Sequence, residues 1–526
     1  MSENKEFNIT GLCIPKLHYM VDTSEKVSQI IERYIKRGAY FTMNCARQYG
    51  KTTTLELLYH RLREDYIVLD ISFEASDDCF VSMYSLALGL VSKIEDRLVS
   101  ENVSDTLLEK WRKPVYETLP MEDLNRRITE LCRNSDREII LMADEVDRVA
   151  DNQLFLLFLG LLRTKYLRRN AGRDYTFKSV ILAGVHDIKN LKMKLRQEEN
   201  RKYNSPWNIA ADFNVEMGFS VREIESMLRE YEADCQTGMN IHVIAERIYA
   251  YTGGYPFLVS WICKRIDEGE LSWTISGVQT AVKDLLHGTN TLFDDIIKNL
   301  ENYPDFRKLV ETVLVQGESV PFVVSNPEIA RGVMYGIFQK TKGQVSISNQ
   351  IFETYIYEYL ISISRTQELL LPKYSDKSQY IRDGRLDMRL VLERFSAFLK
   401  SEYRKEDGRF IERQGRLLFL NFLRPIINGT GHYAVEAQTR QNTRMDIQVF
   451  YGSEEFIVEL KLWHGAKKER DGYAQLAGYL DARGLEQGYL VSFCENLKTP
   501  RENQEIEYNG HKIYEVIIAY REDGSK

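Results

Sequence analysis

Apolar positions in the N-terminal half alternate between short unbroken runs and longer stretches with helical spacing. The runs at 39–44, 66–72, 138–144 and 178–183 read as buried strands, and amphipathic segments separate them. Such alternation implies a mostly parallel sheet covered on both faces. Helical patterns follow at Val221–Ala233, Ile241–Tyr251 and Pro256–Asp267, the expected lid. From 285 to 370 comes a smaller module, with helices at Thr291–Asn302 and Tyr303–Val315, a strand at Gln344–Asn349 and a tyrosine-rich helix at Gln350–Ser364. Proline and polar residues interrupt the periodicity at 371–384, the expected linker. A helix over Leu386–Lys400 opens the last stretch, 385–526, which closes on a hairpin at Asn509–Gly510 between Glu505–Tyr508 and Lys512–Ala519. The expected fold class is multidomain α/β, divided as 1–284, 285–370 and 385–526.

The densest chemistry lies between Asp446 and Lys461. Two strand-like runs flank a turn at Tyr451–Gly452–Ser453, and the second, Phe456 to Trp463, is apolar except for Glu459 and Lys461. Residues two apart on a strand share a face, and an antiparallel partner brings Asp446 to the same face. Two carboxylates beside a lysine make a divalent-metal site with a cationic assistant. A hard cation such as Mg²⁺ or Mn²⁺ takes oxygen ligands. Asp446 and Glu459 would supply them, with the Leu460 carbonyl, and Lys461 would orient the attacking water. The bland alternative is a surface ion pair on an edge strand.

This stretch resembles the PD-(D/E)XK nuclease superfamily. The resemblance implies a metal-dependent phosphodiester-cleaving domain of α/β/α type. It also implies roles for Glu412, on a helix with Arg416 one turn on, as the further metal ligand, and for Gln475, with Tyr479 one turn on, as a supporting side chain. Met445 stands where the family name has proline.

A second constellation lies near the N-terminus. The strand ending at Asn44 runs into Cys45-Ala-Arg47-Gln48-Tyr49-Gly50-Lys51-Thr52-Thr53 and then into an amphipathic helix. Strand, loop, Gly-Lys-Thr and helix form the setting of a phosphate-binding loop. Lys51 would reach the β- and γ-phosphates and Thr52 would bind Mg²⁺. Cys45 occupies the position of the motif's first glycine. The apolar run from Arg137 ends in Asp144-Glu145, with Asp144 suited to the Mg²⁺ shell and Glu145 to the attacking water. At the end of the fourth run, His186 or Asp187 is a candidate γ-phosphate sensor, with a plain strand-end turn as the equal alternative. Arg148, Arg163, Arg168 and Arg169 follow the acidic strand; a solvated helix face explains each better than a finger on a neighbour's nucleotide.

From Phe7 to about Asp284 the chain resembles bacterial AAA-like and STAND-type ATPases. The phrases that carry it are His18-Tyr-Met-Val-Asp22, Asn44-Cys-Ala-Arg-Gln-Tyr-Gly-Lys-Thr52, Ser205-Pro-Trp-Asn-Ile-Ala210 and Thr252-Gly-Gly-Tyr-Pro-Phe-Leu258. The resemblance implies ATP as cofactor, held by Arg47, Gln48, Tyr49, Gly50, Lys51, Thr52, Thr53 and Asp144. It makes Cys45 a family trait, and it makes 285–370 a winged-helix-like module that relays the nucleotide state more readily than it reads DNA.

Composition narrows the setting. At 526 residues the chain exceeds one core. The net charge of -7 excludes a general polycation, so nucleic-acid contact must come from local patches, among them Lys461–Arg470 with Trp463 and His464. Apolar runs stop short of the ~18 residues of a spanning helix. Seven scattered cysteines without a CxxC pair fit a reduced, cytoplasmic protein without a zinc site. The expected function is an ATP-regulated, metal-dependent nuclease acting on nucleic acid, DNA before RNA. The domain pairing resembles anti-phage defence systems, and a homo-oligomer is open. The rival is an NTP-driven switch or scaffold whose nuclease-like domain binds without cutting.

Overall fold

The computed structural model describes residues 5–74, 76–150, 152–185, 192–193, 203–204, 206–314, 319–367, 377–382, 384–402, 412–427, 431–435, 447–452, 454–462, 466–494 and 503–519. The chain forms two compact units. One comprises Met1–Tyr249, Gly254–Trp273 and Val333–Gly336; the other comprises Ala250–Gly253, Thr274–Gly332 and Ile337–Lys526.

The first unit is built on four parallel strands, β1 (Tyr40–Asn44), β2 (Ile67–Ser72), β3 (Ile139–Asp144) and β4 (Ser179–Gly184), in the order β1-β4-β3-β2. Their runs are apolar on both faces because both faces are covered. Tyr40, Leu69, Leu141 and Leu182 pack under three helices, α2 (Met83–Ser100), α3 (Pro120–Asn134) and α4 (Gln153–Asn170). Phe41, Val68, Ile140 and Ile181 pack with α1 (Lys51–Leu62) and the Ser24–Ile30 helix. Each fully buried Leu or Ile contributes about 1.5–3 kcal/mol. The four strands match the sequence expectation to within a residue at each end. Helix α1 begins three residues before the expected Thr54, because Gly50 takes a left-handed φ of 74° and lets the helix start at Lys51.

The helical lid contains α5 (Val221–Cys235), α6 (Ile241–Thr252) and α7 (Pro256–Glu268). Ser220 and Glu223 close a reciprocal capping box at the start of α5, and Pro256 opens α7 at a position where no backbone donor is needed. Phe7 and Tyr19 of the N-terminal segment pack on Tyr231 of α5, with Trp273 completing the cluster.

In the second unit α8 (Ile275–His287), α9 (Thr291–Asn302), α10 (Pro304–Leu314) and α11 (Pro327–Met334) precede the hairpin β5 (Phe338–Thr341) and β6 (Gln344–Ile347), then α12 (Gln350–Gln367). Helix α11 carries one basic side chain, Arg331; it pairs with Glu328 and lies over the Tyr303 ring.

A six-stranded mixed sheet follows α13 (Met388–Glu402) and α14 (Glu412–Ile427). Its strands are β7 (Gly431–Val435), β8 (Ile447–Tyr451), β9 (Glu454–Leu462), β10 (Gln487–Cys494), β11 (Gln504–Tyr508) and β12 (His511–Ala519), ordered β7-β8-β9-β10-β12-β11. The first three pair antiparallel, β10 lies parallel to both β9 and β12, and β11 returns antiparallel. Helix α15 (Ala466–Arg483) is the crossover between β9 and β10. The expected Asn509–Gly510 turn is present, with both residues left-handed.

The linker expectation needs correction at its C-terminal end. Lys377–Tyr380 forms a helical turn and Ile381–Arg382 pairs with Arg385–Leu386. Tyr380 is 1% exposed and meets the Phe422 ring, so this stretch is packed structure and not a spacer. The following helix starts at Met388 and not Leu386, because Asp387 accepts the Leu390 amide as an N-cap.

Candidate functional site

The nucleotide-type site is assembled at the C-terminal ends of the parallel strands, where an open α/β sheet places its ligands. Leaving β1, the Cys45 amide bonds to the Gly184 carbonyl on β4. The loop turns through Gln48 and Gly50, both with positive φ. Lys51 folds back over it, its Nζ 3.0 Å from the Cys45 carbonyl and 2.9 Å from that of Ala46. Burial is the main influence on this ammonium and pulls its pKa below the usual lysine range. Thr52 donates its hydroxyl to Asp144 Oδ2 at 2.8 Å, which brings α1 and the end of β3 together. A hydroxyl and a carboxylate side by side are a hard-oxygen donor set suited to Mg²⁺.

Glu145 follows in a left-handed conformation (φ 56°), its amide bonded to Asp144 Oδ1 at 2.8 Å. Burial, then the Asp144 and Asp147 carboxylates, raises its pKa above the ordinary glutamate range. Asp147 accepts the Val185 amide with both oxygens at 2.6 Å, pinning the end of β4 beside the acidic strand.

The lid side closes on the same loop. Tyr255 donates to the Arg47 carbonyl at 2.5 Å, and its ring meets Tyr49 edge-on at 4.5 Å. Gly254, at φ 77°, bonds through its carbonyl to the Phe219 amide, and a Cβ there would lie 2.0 Å from the Phe219 carbonyl oxygen. Only glycine fits this approach.

The structure therefore gathers Lys51, Thr52, Asp144 and Glu145 around one loop, with Arg47, Gln48, Tyr49 and Gly50 forming its wall. Thr53 is turned elsewhere, its Oγ1 accepting the Cys13 amide at 3.3 Å. Burial pushes the Cys45 thiol up to about 12, so it is an inert filler at the loop's first position. His186 and Asp187 lie outside the described residues. Among the arginines, Arg169 is consumed by the carbonyls of Gly38, Phe177 and Lys178, and Arg163 bonds Asn208. Asp147 and Tyr255 received no role from the sequence. The third acid in Asp144-Glu145-Val-Asp147 and the aromatic after a glycine pair are the signals that mark them.

The other candidate lies mid-strand in the mixed sheet. Glu459 on β9 is 0% exposed, and Lys461 Nζ approaches its Oε1 at 2.8 Å. Lys461 is partly exposed, and Gly472 of α15 lies against its stem, an added Cβ there falling 3.8 Å from Lys461 Cγ. Gln475, one turn further on, is exposed and donates to the Tyr479 hydroxyl. Leu460 is buried opposite Val491 on β10. Asp446 lies outside the described residues, as do Trp463 and His464, and Glu412 is described only as the first residue of α14. Among the described residues no group of three or more His, Cys, Asp or Glu side chains is placed to hold a metal ion, and no helix is long and apolar enough to cross a membrane.

The fold and the loop geometry define a P-loop ATPase with a helical lid. Residues 16–358 match the AAA-like domain family, and the chain belongs to that family. It is an ATP-binding AAA-like protein. An uncharacterised WD repeat-containing protein of Synechocystis is 22% identical over 346 residues, 60% of this chain; the match spans 27% of that relative's length. Among solved structures, a Walker-type ATPase of Pyrococcus abyssi superposes with a TM-score of 0.44 at 12% identity, over 66% of this chain and 99% of that one. Cdc6p from Pyrobaculum aerophilum gives 0.34 at 14% identity, over 67% and 98%.

Proposed function

We propose that this protein is an ATP-operated switch whose second unit cuts phosphodiester bonds with a divalent cation at Glu459. The observation that carries the reading is a fully buried glutamate held 2.8 Å from a lysine two residues on, within a strand of a mixed sheet. A carboxylate in an apolar interior is costly unless a cation compensates it. The order α14, β7-β8-β9, α15, β10 supports the resemblance to PD-(D/E)XK nucleases. Strand β8 begins with Ile447 opposite Val458, one residue short of Glu459.

In this reading Glu459, Asp446, Glu412 and the Leu460 carbonyl hold the cation, Mg²⁺ or Mn²⁺. Bound there, it would polarise a phosphate and acidify a water. Lys461 orients that water and offsets phosphate charge, and Gln475 supports the open flank. In the first unit Lys51 leaves the Cys45 and Ala46 carbonyls for the ATP phosphates, Thr52 and Asp144 hold Mg²⁺, and Glu145 directs water at the γ-phosphate. The substrate is nucleic acid, DNA before RNA, and a switch joined to a cutting domain suits anti-phage defence by architectural analogy.

The rival, a nucleotide-driven scaffold that binds without cutting, is favoured by one feature: Lys461 already neutralises Glu459. The test is cleavage of plasmid, linear duplex, single-stranded DNA and RNA by the full chain, with Mg²⁺ or Mn²⁺, with and without ATP. Glu459→Ala should abolish cutting while nucleotide binding persists, and Lys51→Ala should abolish nucleotide binding and its control of cutting. A wild-type chain that neither cuts nor binds Mn²⁺ in a calorimeter would leave the scaffold standing.

A further inference from the structure

A second buried carboxylate lies on the same face of the mixed sheet. Glu515 on β12 is 0% exposed and stands in register with Leu490, which stands in register with Glu459. Two strand spacings, about 10 Å, separate the two acids. Three donors satisfy Glu515: Tyr473 of α15 at 2.6 Å, Ser492 of β10 at 2.5 Å and Gln504 of β11 at 2.8 Å. So saturated a carboxylate is no metal ligand. A buried carboxylate with three donors instead fixes whatever supplies them, and one donor is the helix that roofs Lys461.

Helix geometry says what is fixed. Residues advance by about 100° around α15. Tyr473 lies within the buried arc that contains Leu476 and Leu480, and the exposed Gln475 sits about 200° from it, outside that arc. Gly472, next to Tyr473, rests on the Lys461 stem. Rolling the helix would lift Gly472 off that stem.

We infer that the Tyr473–Glu515 hydrogen bond is a pin that sets the roll of α15, making Tyr473 and Glu515 positioning residues for Lys461. This rests on the nuclease reading above. Ser492 doubles the fixation: it is the register partner of Lys461 and donates to the same acid.

The test compares the full chain with Tyr473→Phe and Glu515→Gln, reading Mn²⁺ binding by calorimetry beside the Mn²⁺-dependent cleavage rate. Tyr473→Phe removes one hydroxyl and leaves the ring in the core. It should lower the rate or the metal affinity about 10–100-fold, the usual range for groups that orient ligands, with ATP binding unchanged. Glu515→Gln must show the same metal-dependent loss, and it serves if Tyr473→Phe does not fold. Wild-type-like metal binding and cleavage by both pin variants would overturn the pin alone. A wild-type chain that neither binds Mn²⁺ nor cuts would bring down the nuclease reading and the pin with it.

Discussion

The four-stranded and six-stranded sheets of this molecule each hold a lysine among oxygens, and they hold it in opposite ways. Lys51 stands in the first turn of a helix, on the loop's own carbonyls, while the nearby carboxylate of Asp144 is occupied by Thr52. Lys461 stands on a strand, against a carboxylate two residues away. The first is a parked lysine. Burial disfavours its charge, and nothing in the loop matches that charge with a full negative partner, so a polyphosphate gains by drawing it off. The second is a paired lysine, whose partner must be taken over by a cation before either group is free. One site is therefore built to accept an anion, and in the proposed reading the other accepts a cation, though the side chains are much alike. The difference comes from strand ends against strand middles. Loop carbonyls surround the first, and a neighbouring side chain on the same strand meets the second.

The largest expected effect tests whether the parked site does chemistry. Glu145→Gln should lower ATP hydrolysis about 10²–10⁴-fold, the range for a lost general base, and leave ATP binding intact by calorimetry. Its pH signature has a definite sign. Burial and the Asp144 and Asp147 carboxylates raise the Glu145 pKa, so its charged form is lost while pH is still above the ordinary glutamate range. Wild-type hydrolysis should fall through that region as pH drops, and the variant's residual rate should not. Hydrolysis by Glu145→Gln at the wild-type rate would leave Glu145 a structural residue.

A smaller effect separates parked from paired directly. Without nucleotide, Lys51→Met should leave thermal stability unchanged or raise it by up to about 1 kcal/mol, because the fold depresses that lysine's pKa and so disfavours its charge. The penalty applies below the folded pKa and fades as pH rises past it toward the unfolded value. Lys461→Met should cost about 1–2 kcal/mol, less than for a fully buried pair because Lys461 keeps solvent contact. Denaturant melts of both variants at neutral pH decide it. The reverse order would erase the distinction between the two lysines.

The same contrast governs what the sequence reveals. Strands 39–44, 66–72, 138–144 and 178–183 are legible because strands covered on both faces are continuous apolar runs. The P-loop residues are legible because loop, lysine and helix start are contiguous. Glu459 and Lys461 are legible for the same local reason, a period of two on one strand. Asp147, Tyr255 and Glu515 are not, since their partners lie far along the chain. Val185 is 38 residues from Asp147, Arg47 is 208 from Tyr255, and Tyr473 is 42 from Glu515. Periodicity carries no information about such pairings. Tyr380 misled for a related reason: a polar, proline-bearing stretch reads as spacer until the ring that covers Phe422 is seen. Metal ligation at Asp446 and Glu412 is as far as the sequence reaches there, and it stays with the proposal.

The smallest effect bears on how the paired site is braced. Glu455, four residues before Glu459 on β9, takes both Arg483 Nε at 2.7 Å and the terminal guanidinium nitrogen at 3.1 Å, and Gln448 of β8 donates to it as well. This fork ties the last turn of α15 to the start of the strand, as Tyr473 ties the first half of the helix to β12. A lysine cannot reproduce a two-point contact, so Arg483→Lys should cost about 0.5–1 kcal/mol, the scale of a partly exposed pair. The parked site shares no residue with this brace, since Tyr255, Lys51 and Thr52 hold its loop. Arg483→Lys should therefore leave ATP affinity untouched while raising the Mn²⁺ requirement for cleavage a few-fold. If the variant melts as the wild type does and cuts at the same metal concentration, α15 is held by its apolar face alone, and the paired lysine owes its position to packing.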